Sequence, residues 1–221
     1  HWFGDCMPFY HDGKFYLFHQ RDTRKPGPFG EPFGWALVCT TDFVQYTDFG
    51  EVIPRGGDEA QDQFIFAGSL FAANGCFYAM YTGFNREYPK QGKPSQVLMI
   101  ATSDDLIHWE KTTEKLVAPQ AGYAPNDWRD PFILWQEAAQ RYVIILGARK
   151  VDGKKIRTGR TVYFTSTDLK RWTFQGDFWA PNLYLAHTTG DLFKFEVDVT
   201  FSATTRAFGV RLFEDEATGD A

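Results

Sequence analysis

The sequence predicts an all-β protein of the propeller type, in which four-stranded sheets repeat along the chain. Three observations carry this prediction. Aromatic residues make up 18% of the 221 residues, with 22 Phe, 10 Tyr and 7 Trp, a content that suits broad sheet cores. Asp42, Asp105 and Asp168 open similar turns that are spaced 63 residues apart. Short aromatic and β-branched runs, which are typical of strands, precede each turn.

The repeated turn combines a hydroxyl group, a carboxylate and an aromatic ring at fixed spacing. Its copies are residues 40–46, 103–109 and 166–172, and each begins with Ser or Thr, has Asp two residues later and ends with Tyr or Trp. Hydroxyl and carboxylate side chains accept hydrogen bonds from nearby backbone N–H groups and so stabilise turns. We expect the aromatic ring that follows to pack between neighbouring sheets.

Each repeat is predicted to contain four strands. A first strand is followed by an aromatic strand, which falls at residues 13–18, 75–80 and 140–145, then by a third strand such as residues 97–101. The last strand follows the Asp turn. No helix is predicted within residues 1–185. Four antiparallel strands repeated at a long period describe a propeller blade.

Composition excludes several classes of protein. A net charge of −5 and a pI near 5.5 argue against nucleic acid as a partner. No apolar run reaches the length of a membrane span, and the five His form no ligand pair, so we expect no membrane partner, no metal and no cofactor. Cys6, Cys39 and Cys76 lack metal-binding spacing and are predicted to be reduced core residues. With no leader in the sequence, they favour a cytoplasmic location.

Arg129 and Asp130 form a charged pair just before the apolar run 132–135. A carboxylate that enters a sheet interior must be paired or used. The pair is therefore either a structural ion pair that closes a turn or part of a functional site.

The repeat favours the functional interpretation. Counting back from the aromatic strands, the region of Asp5 and residues 67–69 are equivalent to Asp130. The inner strands of propeller blades converge on one axis, so Asp5 and Asp130 are expected to face the same space. Two convergent carboxylates are the minimal equipment for hydrolysis of a glycosidic bond.

Six short strings occur in the same order as in a known family. They are Trp2-Phe3-Gly4-Asp5, Leu17-Phe18-His19-Gln20, Trp35-Ala36 with Thr40-Thr41-Asp42, Phe66-Ala67-Gly68-Ser69, Tyr81-Thr82-Gly83, and Trp128-Arg129-Asp130-Pro131, after which Gly147-Ala148 follows. They resemble the WMND, LFYQ, WGHATSxD, FSGS, YTG and RDP strings of glycoside hydrolase family 32, the β-fructosidases and invertases. The resemblance covers roughly residues 1–187.

The resemblance implies a five-bladed propeller with an axial pocket, of which about three blades are present here. It also implies retaining cleavage of β-fructosides such as sucrose or fructans. Asp5 would be the nucleophile, and Asp130 would stabilise the oxocarbenium-like transition state. The side chains expected to bind the sugar are Arg129, Gln20, Trp35, Phe66 and Ser69.

The sequence departs from the family pattern in two places. Asp5 is followed by Cys6-Met7-Pro8 instead of Pro-Asn-Gly. Residues 178–184 are similar to the approach to the family's ECPD motif, yet His187 is followed by Thr188 and no Glu occupies the place of the acid/base residue. Without a proton donor we expect very low activity on sucrose, since general acid catalysis contributes about a hundred- to ten-thousandfold.

The predicted domains are an incomplete propeller at residues 1–187 and a fragment resembling a β-sandwich at residues 188–221. Residues 193–201 alternate between apolar and charged side chains, as a half-solvated strand does. Glu196 lies on the charged face and is not expected to replace the missing acid. An open set of blades leaves edge strands exposed, so self-association is expected.

Two other functions remain open from the sequence. One is an inverting arabinofuranosidase or xylosidase on a related propeller, which would use an axial Asp set without the FSGS-like and YTG strings. The other is a non-catalytic carbohydrate-binding module, which the absent Glu supports. In all three cases the expected partner is a small carbohydrate.

Overall fold

The computed structural model describes residues 2–23, 25, 30–112, 116–153 and 155–179. These residues belong to the first of two compact units, His1–Asn182. The fragment predicted at residues 188–221 falls in the second unit, Leu183–Ala221, which lies outside the described residues. The sandwich and its boundary therefore stay predictions.

The described residues form twelve strands in three antiparallel sheets, which we call blades 1 to 3. Blade 1 contains β1 (Trp2–His11), β2 (Lys14–Asp22), β3 (Trp35–Thr40) and β4 (Thr47–Ile53). Blade 2 contains β5 (Phe64–Ala73), β6 (Cys76–Phe84), β7 (Gln96–Ser103) and β8 (Glu110–Lys111). Blade 3 contains β9 (Tyr123–Gln136), β10 (Arg141–Asp152), β11 (Lys155–Ser166) and β12 (Thr173–Trp179).

In every blade the strands pair in chain order. Within the described residues, the helical segments are two single 3-10 turns, Tyr88–Gln91 and Glu137–Ala139. Neither is long or apolar enough to cross a membrane. The prediction of an all-β protein with three four-stranded blades is confirmed.

The Asp turn that joins the third and fourth strands has the same hydrogen bonds in all three blades. In blade 2, the N–H group of Leu106 donates to Ser103 Oγ at 2.9 Å, and the N–H groups of Ile107 and His108 donate to Asp105 Oδ1 at 2.9 and 2.7 Å. The equivalent bonds in blades 1 and 3 are 2.8 to 3.0 Å long. The predicted turn is therefore confirmed.

The core lies between the blades, because each sheet buries alternate side chains on opposite faces. On β6, Tyr81 points into the cluster shared with blade 1, where it meets Trp35 and Leu37. Its neighbour Met80 points into the cluster shared with blade 3, where it meets Trp128 and Ile144. This two-residue alternation is the pattern of a strand buried on both faces.

The rings that end the Asp turns differ in burial. Trp109 packs edge-on against Phe18 at 5.7 Å between blades 1 and 2, and Trp172 packs in the cluster between blades 2 and 3. Tyr46 in blade 1 is 51% exposed. The prediction that this ring packs between sheets is wrong for Tyr46, because it lies outside the cluster that blade 1 shares with blade 2.

The three cysteines are free thiols, and only Cys39 is buried. Cys6 is exposed next to Asp5, so the expectation that all three lie in the core is wrong at that position.

Large apolar side chains are exposed on the two terminal blades, among them Phe43 in blade 1 and Phe132 in blade 3. Self-association stays a prediction.

Candidate active site

The first strands of the three blades border a cleft of about 970 Å³. β5 contacts both β1 and β9, so these strands lie side by side as the inner strands of a propeller do. The residues that line the cleft come from all three blades: Phe3, Gly4, Asp5, Gln20, Asp22, Phe33, Phe66, Phe84, Arg86, Pro89, Ser95, Gln96, Asn126, Asp127, Arg129 and Asp130. A cleft of this size fits a small-molecule ligand.

Each inner strand carries a β-bulge at the same place in its blade. In β1, Gly4 and Asp5 share one opposing residue on β2. In β9, Asp130 and Pro131 share one opposing residue on β10, and in β5 the extra residue is Ala67. Bulges redirect a side chain and are frequent beside active sites. The equivalence predicted from the repeat is thus present in the strand registers.

The backbone of Asp130 has an unusual conformation. Its φ angle is 61°, in the left-handed region that side chains other than Gly rarely adopt. Its N–H group donates a 3.0 Å hydrogen bond to Thr82 Oγ1 on β6. The Thr82 hydroxyl in turn donates to the carbonyl oxygen of Ala67 at 3.1 Å. The bulge of blade 3 is therefore bonded to the bulge of blade 2.

Asp5 and Asp130 interact electrostatically in this cleft. Partial burial raises the pKa of the Asp130 carboxyl, the Arg129 guanidinium lowers it, and the charge of Asp5 raises it, with a net upward shift. Arg129 Nε lies 3.6 Å from Asp130 Oδ2. A neighbouring negative charge disfavours ionisation of the Asp130 carboxyl. The structure brings together the two carboxylates that the repeat predicts to face the same space.

Arg129 is oriented by acceptors on several sides. Its Nη1 lies 2.8 Å from Asp127 Oδ1 and 3.4 Å from Gln96 Oε1. Arg149 also reaches Asp127 Oδ1, at 3.6 Å. Arg129 therefore forms a closer ion pair with Asp127, at 2.8 Å, than with Asp130, at 3.6 Å. If Arg129 has a purely structural ion pair, its partner is Asp127.

Gln20 and Phe66, two of the predicted sugar contacts, line the cleft. Gln20 lies on β2 opposite the Asp5 bulge. Phe66 stacks on Phe84, with ring centroids 4.6 Å apart and an angle of 16° between the ring planes. The ring centroid of Phe33 lies 6.1 Å from that of Phe66. Aromatic faces of this kind pack against the C–H groups of sugars.

Trp35 and Ser69, the other two predicted sugar contacts, lie behind the wall of the cleft. The Trp35 side chain is fully buried, and its Nε1–H donates to the carbonyl oxygen of Phe66 at 3.1 Å. Ser69 Oγ accepts a 3.2 Å hydrogen bond from the N–H group of Ile133 on β9. In this structure both residues support inner strands, and the expectation that they line the subsite is corrected accordingly.

Several cleft residues were missed from the sequence. Phe3, Phe84 and Arg86 line the cleft, and the Arg86 guanidinium lies 4.4 Å from the centroid of the Phe64 ring. Thr82 stands in the recognised Tyr81-Thr82-Gly83 string, which was the available signal for its importance. No comparable signal marks Arg86, because its segment lies outside the repeated strands.

No group of three or more His, Cys, Asp or Glu side chains in the described part of the chain is arranged to hold a metal ion. The described lining residues include four carboxylates, Asp5, Asp22, Asp127 and Asp130, and no Glu. The place at which the family resemblance predicts an acid/base Glu lies beyond residue 179, outside the described residues.

A family model described as the glycosyl hydrolases family 32 N-terminal domain matches residues 2–210. The chain therefore belongs to glycosyl hydrolase family 32, as its short strings predicted. Among curated relatives, a levanase of Bacillus subtilis is 27% identical over 177 residues, which cover 76% of this chain and 23% of the levanase. A sucrose-6-phosphate hydrolase of Staphylococcus xylosus is 27% identical over 173 residues, covering 76% of this chain and 32% of that enzyme.

Solved structures show the same architecture. Sucrose-6-phosphate hydrolase from Lactobacillus gasseri superposes with a TM-score of 0.63 at 25% identity, over 79% of this chain and 34% of that one. Fructan 1-exohydrolase IIa from Cichorium intybus superposes with a TM-score of 0.64 at 20% identity, over 79% and 32% of the two chains. The chain spans about a quarter to a third of the length of these relatives.

Proposed function

We propose that the cleft is the fructose-binding part of a β-fructosidase that cleaves β-fructosides with retention of configuration. The observation that carries this proposal is the placement of Asp5 and Asp130 on equivalent bulges of β1 and β9, facing one cleft. Membership of family 32 supports it, as do the levanase and sucrose-6-phosphate hydrolase activities named for the relatives.

In the proposed reaction Asp5 is the nucleophile. A carboxylate oxygen of Asp5 attacks the anomeric carbon of fructose, the bond to the leaving-group oxygen breaks, and a fructosyl ester forms. Water then attacks the same carbon and releases Asp5. We assign protonation of the leaving group to none of the described residues.

Asp130 has the second role. Its carboxyl oxygens can accept hydrogen bonds from sugar hydroxyls. As a carboxylate it stabilises the positive charge that develops on the sugar ring in the transition state. When the cleft is empty, the neighbouring Arg129 guanidinium compensates part of the negative charge of the Asp130 carboxylate.

The charge of the cleft favours a neutral substrate. Its described lining residues include four carboxylates and two guanidinium groups, those of Arg86 and Arg129, and Arg129 already contacts two of the carboxylates. A sugar phosphate would meet net negative charge here. We therefore propose sucrose or a fructan, and not sucrose 6-phosphate, as the substrate.

The test compares the variants Asp5→Asn and Asp130→Asn with the unaltered protein on an aryl β-fructoside. This substrate has an activated leaving group, so turnover depends less on a general acid. We expect each variant to lose at least about a thousandfold in kcat/KM, as removal of a central catalytic group does. Asp104→Asn, in the exposed turn of blade 2, is the matched control and should retain full activity.

Mass spectrometry after an acid quench identifies the nucleophile. We expect a fructosyl adduct on the peptide that contains Asp5. Full turnover by the Asp5→Asn variant, or inversion of the product's anomeric configuration, would contradict the proposal and favour the inverting alternative.

The second candidate function is a non-catalytic carbohydrate-binding module. The sequence favours it, because His187 is followed by Thr188 and no Glu occupies the place of the family's acid/base residue. Calorimetry with fructose, sucrose and inulin, run beside the turnover assay, separates the two. Binding without turnover of either sucrose or the aryl fructoside supports the module, and turnover of the aryl fructoside supports the enzyme.

A further inference from the structure

The inner strand of blade 3 is bonded to side chains of blade 2 along its irregular part. Three backbone N–H groups of β9 donate to these side chains. Trp128 donates to Gln96 Oε1 at 2.8 Å, Asp130 to Thr82 Oγ1 at 3.0 Å, and Ile133 to Ser69 Oγ at 3.2 Å. The middle bond is made by the residue that carries the carboxylate.

Thr82 makes two hydrogen bonds with its single hydroxyl. The oxygen accepts from Asp130, and the hydrogen is donated to the Ala67 carbonyl. Thr82 is fully buried, and it lies on β6 one residue after Tyr81, whose ring is in the core. The register of β9 and β10 skips Asp130, so its N–H group donates to Thr82 instead of to the sheet.

We propose that Thr82 is a positioning residue that aims the Asp130 side chain at Asp5. The hydroxyl fixes the peptide that precedes the Asp130 Cα, and the bulge with φ of 61° then sets the direction of the Cα–Cβ bond. The effect of this direction on turnover rests on the proposed function. The claim that Thr82 sets the direction is independent of the proposed function.

Removing the hydroxyl leaves two backbone groups without their partner. In the variant Thr82→Val the Asp130 N–H group and the Ala67 carbonyl lose their hydrogen bonds, and nothing compensates the strained φ of Asp130. The bulge then relaxes toward an ordinary strand conformation. A change of that kind rotates the carboxylate, whose side chain is 55% exposed, away from Asp5.

The charged groups that act on the Asp130 carboxyl are Arg129 on its own strand and Asp5 on β1. Rotation away from Asp5 weakens the partial burial of the carboxyl in the cleft and the repulsion from Asp5, both of which raise its pKa. A titration of the Asp130 carboxyl carbon by NMR therefore reports its direction. A residue that contributed only stability would leave this titration unchanged in the folded protein.

The experiment titrates Asp130 in the unaltered protein and in the variants Thr82→Val, Thr82→Ser and Thr165→Val. We expect a lower Asp130 pKa in Thr82→Val and an unchanged one in Thr82→Ser, which keeps the hydroxyl. Thr165→Val removes a buried hydroxyl that accepts from Gln175 in blade 3 and should leave Asp130 unchanged. An unchanged pKa in Thr82→Val overturns the proposal.

Hydrogen exchange in the unaltered protein tests the hydrogen bond from Asp130 to Thr82 even if Thr82→Val does not fold. We expect the Asp130 amide to exchange as slowly as amides paired within β9 and β10, and fast exchange overturns the proposal. Where turnover is present, Thr82→Val should lower kcat about a hundredfold with a smaller change in KM. If the unaltered protein shows no turnover, the proposed function fails while the titration and the exchange still test Thr82.

Discussion

Strands β1 and β9 present a carboxylate in the same way but are supported differently. On β9, three backbone N–H groups are bonded to blade 2, and Trp128 is fully buried between the blades. On β1, the residue two positions before Asp5 is Phe3, which stacks on His19 of its own blade at 3.8 Å and is 52% exposed. The bulge is common to both strands, whereas β9 is held by hydrogen bonds to side chains of blade 2 and β1 packs on blade 2 through apolar side chains such as Met7.

This difference shows that a bulge sets the direction of a side chain while its neighbours set its rigidity. Asp130, which is proposed to bind a developing charge, gains from a fixed position, because electrostatic stabilisation depends on preorganised groups. Asp5, which is proposed to form and break a bond, lies on a strand that packs on blade 2 through side chains such as Met7. Variants of the two strands test this comparison.

The largest expected difference is between Trp128→Ala and Phe3→Ala. Trp128 has no exposed surface, so its removal should lower the free energy of unfolding by about 3–5 kcal/mol, as for other large core side chains. Phe3→Ala loses an exposed stacking contact and should cost about 0.5–1.5 kcal/mol. Urea denaturation followed by fluorescence and circular dichroism measures both values. Equal costs would mean that the two strands are equally supported.

A smaller effect is expected from Gln96→Leu, which removes one of the bonds between blade 2 and β9. The buried N–H group of Trp128 loses its acceptor, and this should cost about 1–3 kcal/mol. Gln20→Leu is the comparison on β2, since Gln20 lies opposite the Asp5 bulge. If the comparison of the strands is correct, only the Gln96 variant speeds exchange of the Trp128 amide.

The variant Asp130→Asn should stabilise the protein in a pH-dependent way. The folded-state pKa of Asp130 is raised, so the folded protein loses stability as pH rises from the ordinary carboxyl value, about 3.9, through the raised value. The variant lacks this loss. We expect it to have the higher melting temperature at pH 7 and to match the unaltered protein below pH 4. A lower melting temperature at pH 7 would show that the carboxylate is favourably placed for folding.

The smallest expected effect is that of the variant Asp5→Asn on the pKa of Asp130. The charge of Asp5 contributes to the raised pKa of Asp130, though less than burial does. Asp5→Asn should therefore lower the Asp130 pKa without returning it to the ordinary value. Carboxyl-carbon NMR measures this shift, with Asp48→Asn on β4 as a control. An unchanged Asp130 pKa would place the two carboxylates farther apart than the cleft indicates.

The fold was predictable because its decisive signals are local. Each Asp turn closes through hydrogen bonds between residues two or three positions apart, so Asp42, Asp105 and Asp168 mark the blades in the sequence itself. The exposure of Tyr46 was not predictable from the turn. Its sequence pattern matches those of Trp109 and Trp172, and only the neighbouring blade decides whether the ring is covered.

The site was predictable only in part. The repeat aligned Asp5 with Asp130, and the strands converge as that alignment required. Trp35 was misplaced because aromatic rings serve both the core and sugar binding, and the sequence does not distinguish the two uses. The role inferred for Thr82 depends on Asp130, 48 residues away, and no pattern on one strand records such a contact.

The same contrast between local and distant hydrogen bonds has a kinetic consequence. An Asp turn needs only a few residues to meet, and hairpins of this kind form within about 1–10 μs. The contact between Thr82 and Asp130 requires two complete sheets to dock. Closing this longer chain segment costs more conformational entropy, and the cost precedes the favourable contact. During refolding, far-ultraviolet circular dichroism should therefore recover before the capacity to bind a sugar, because the cleft is assembled last.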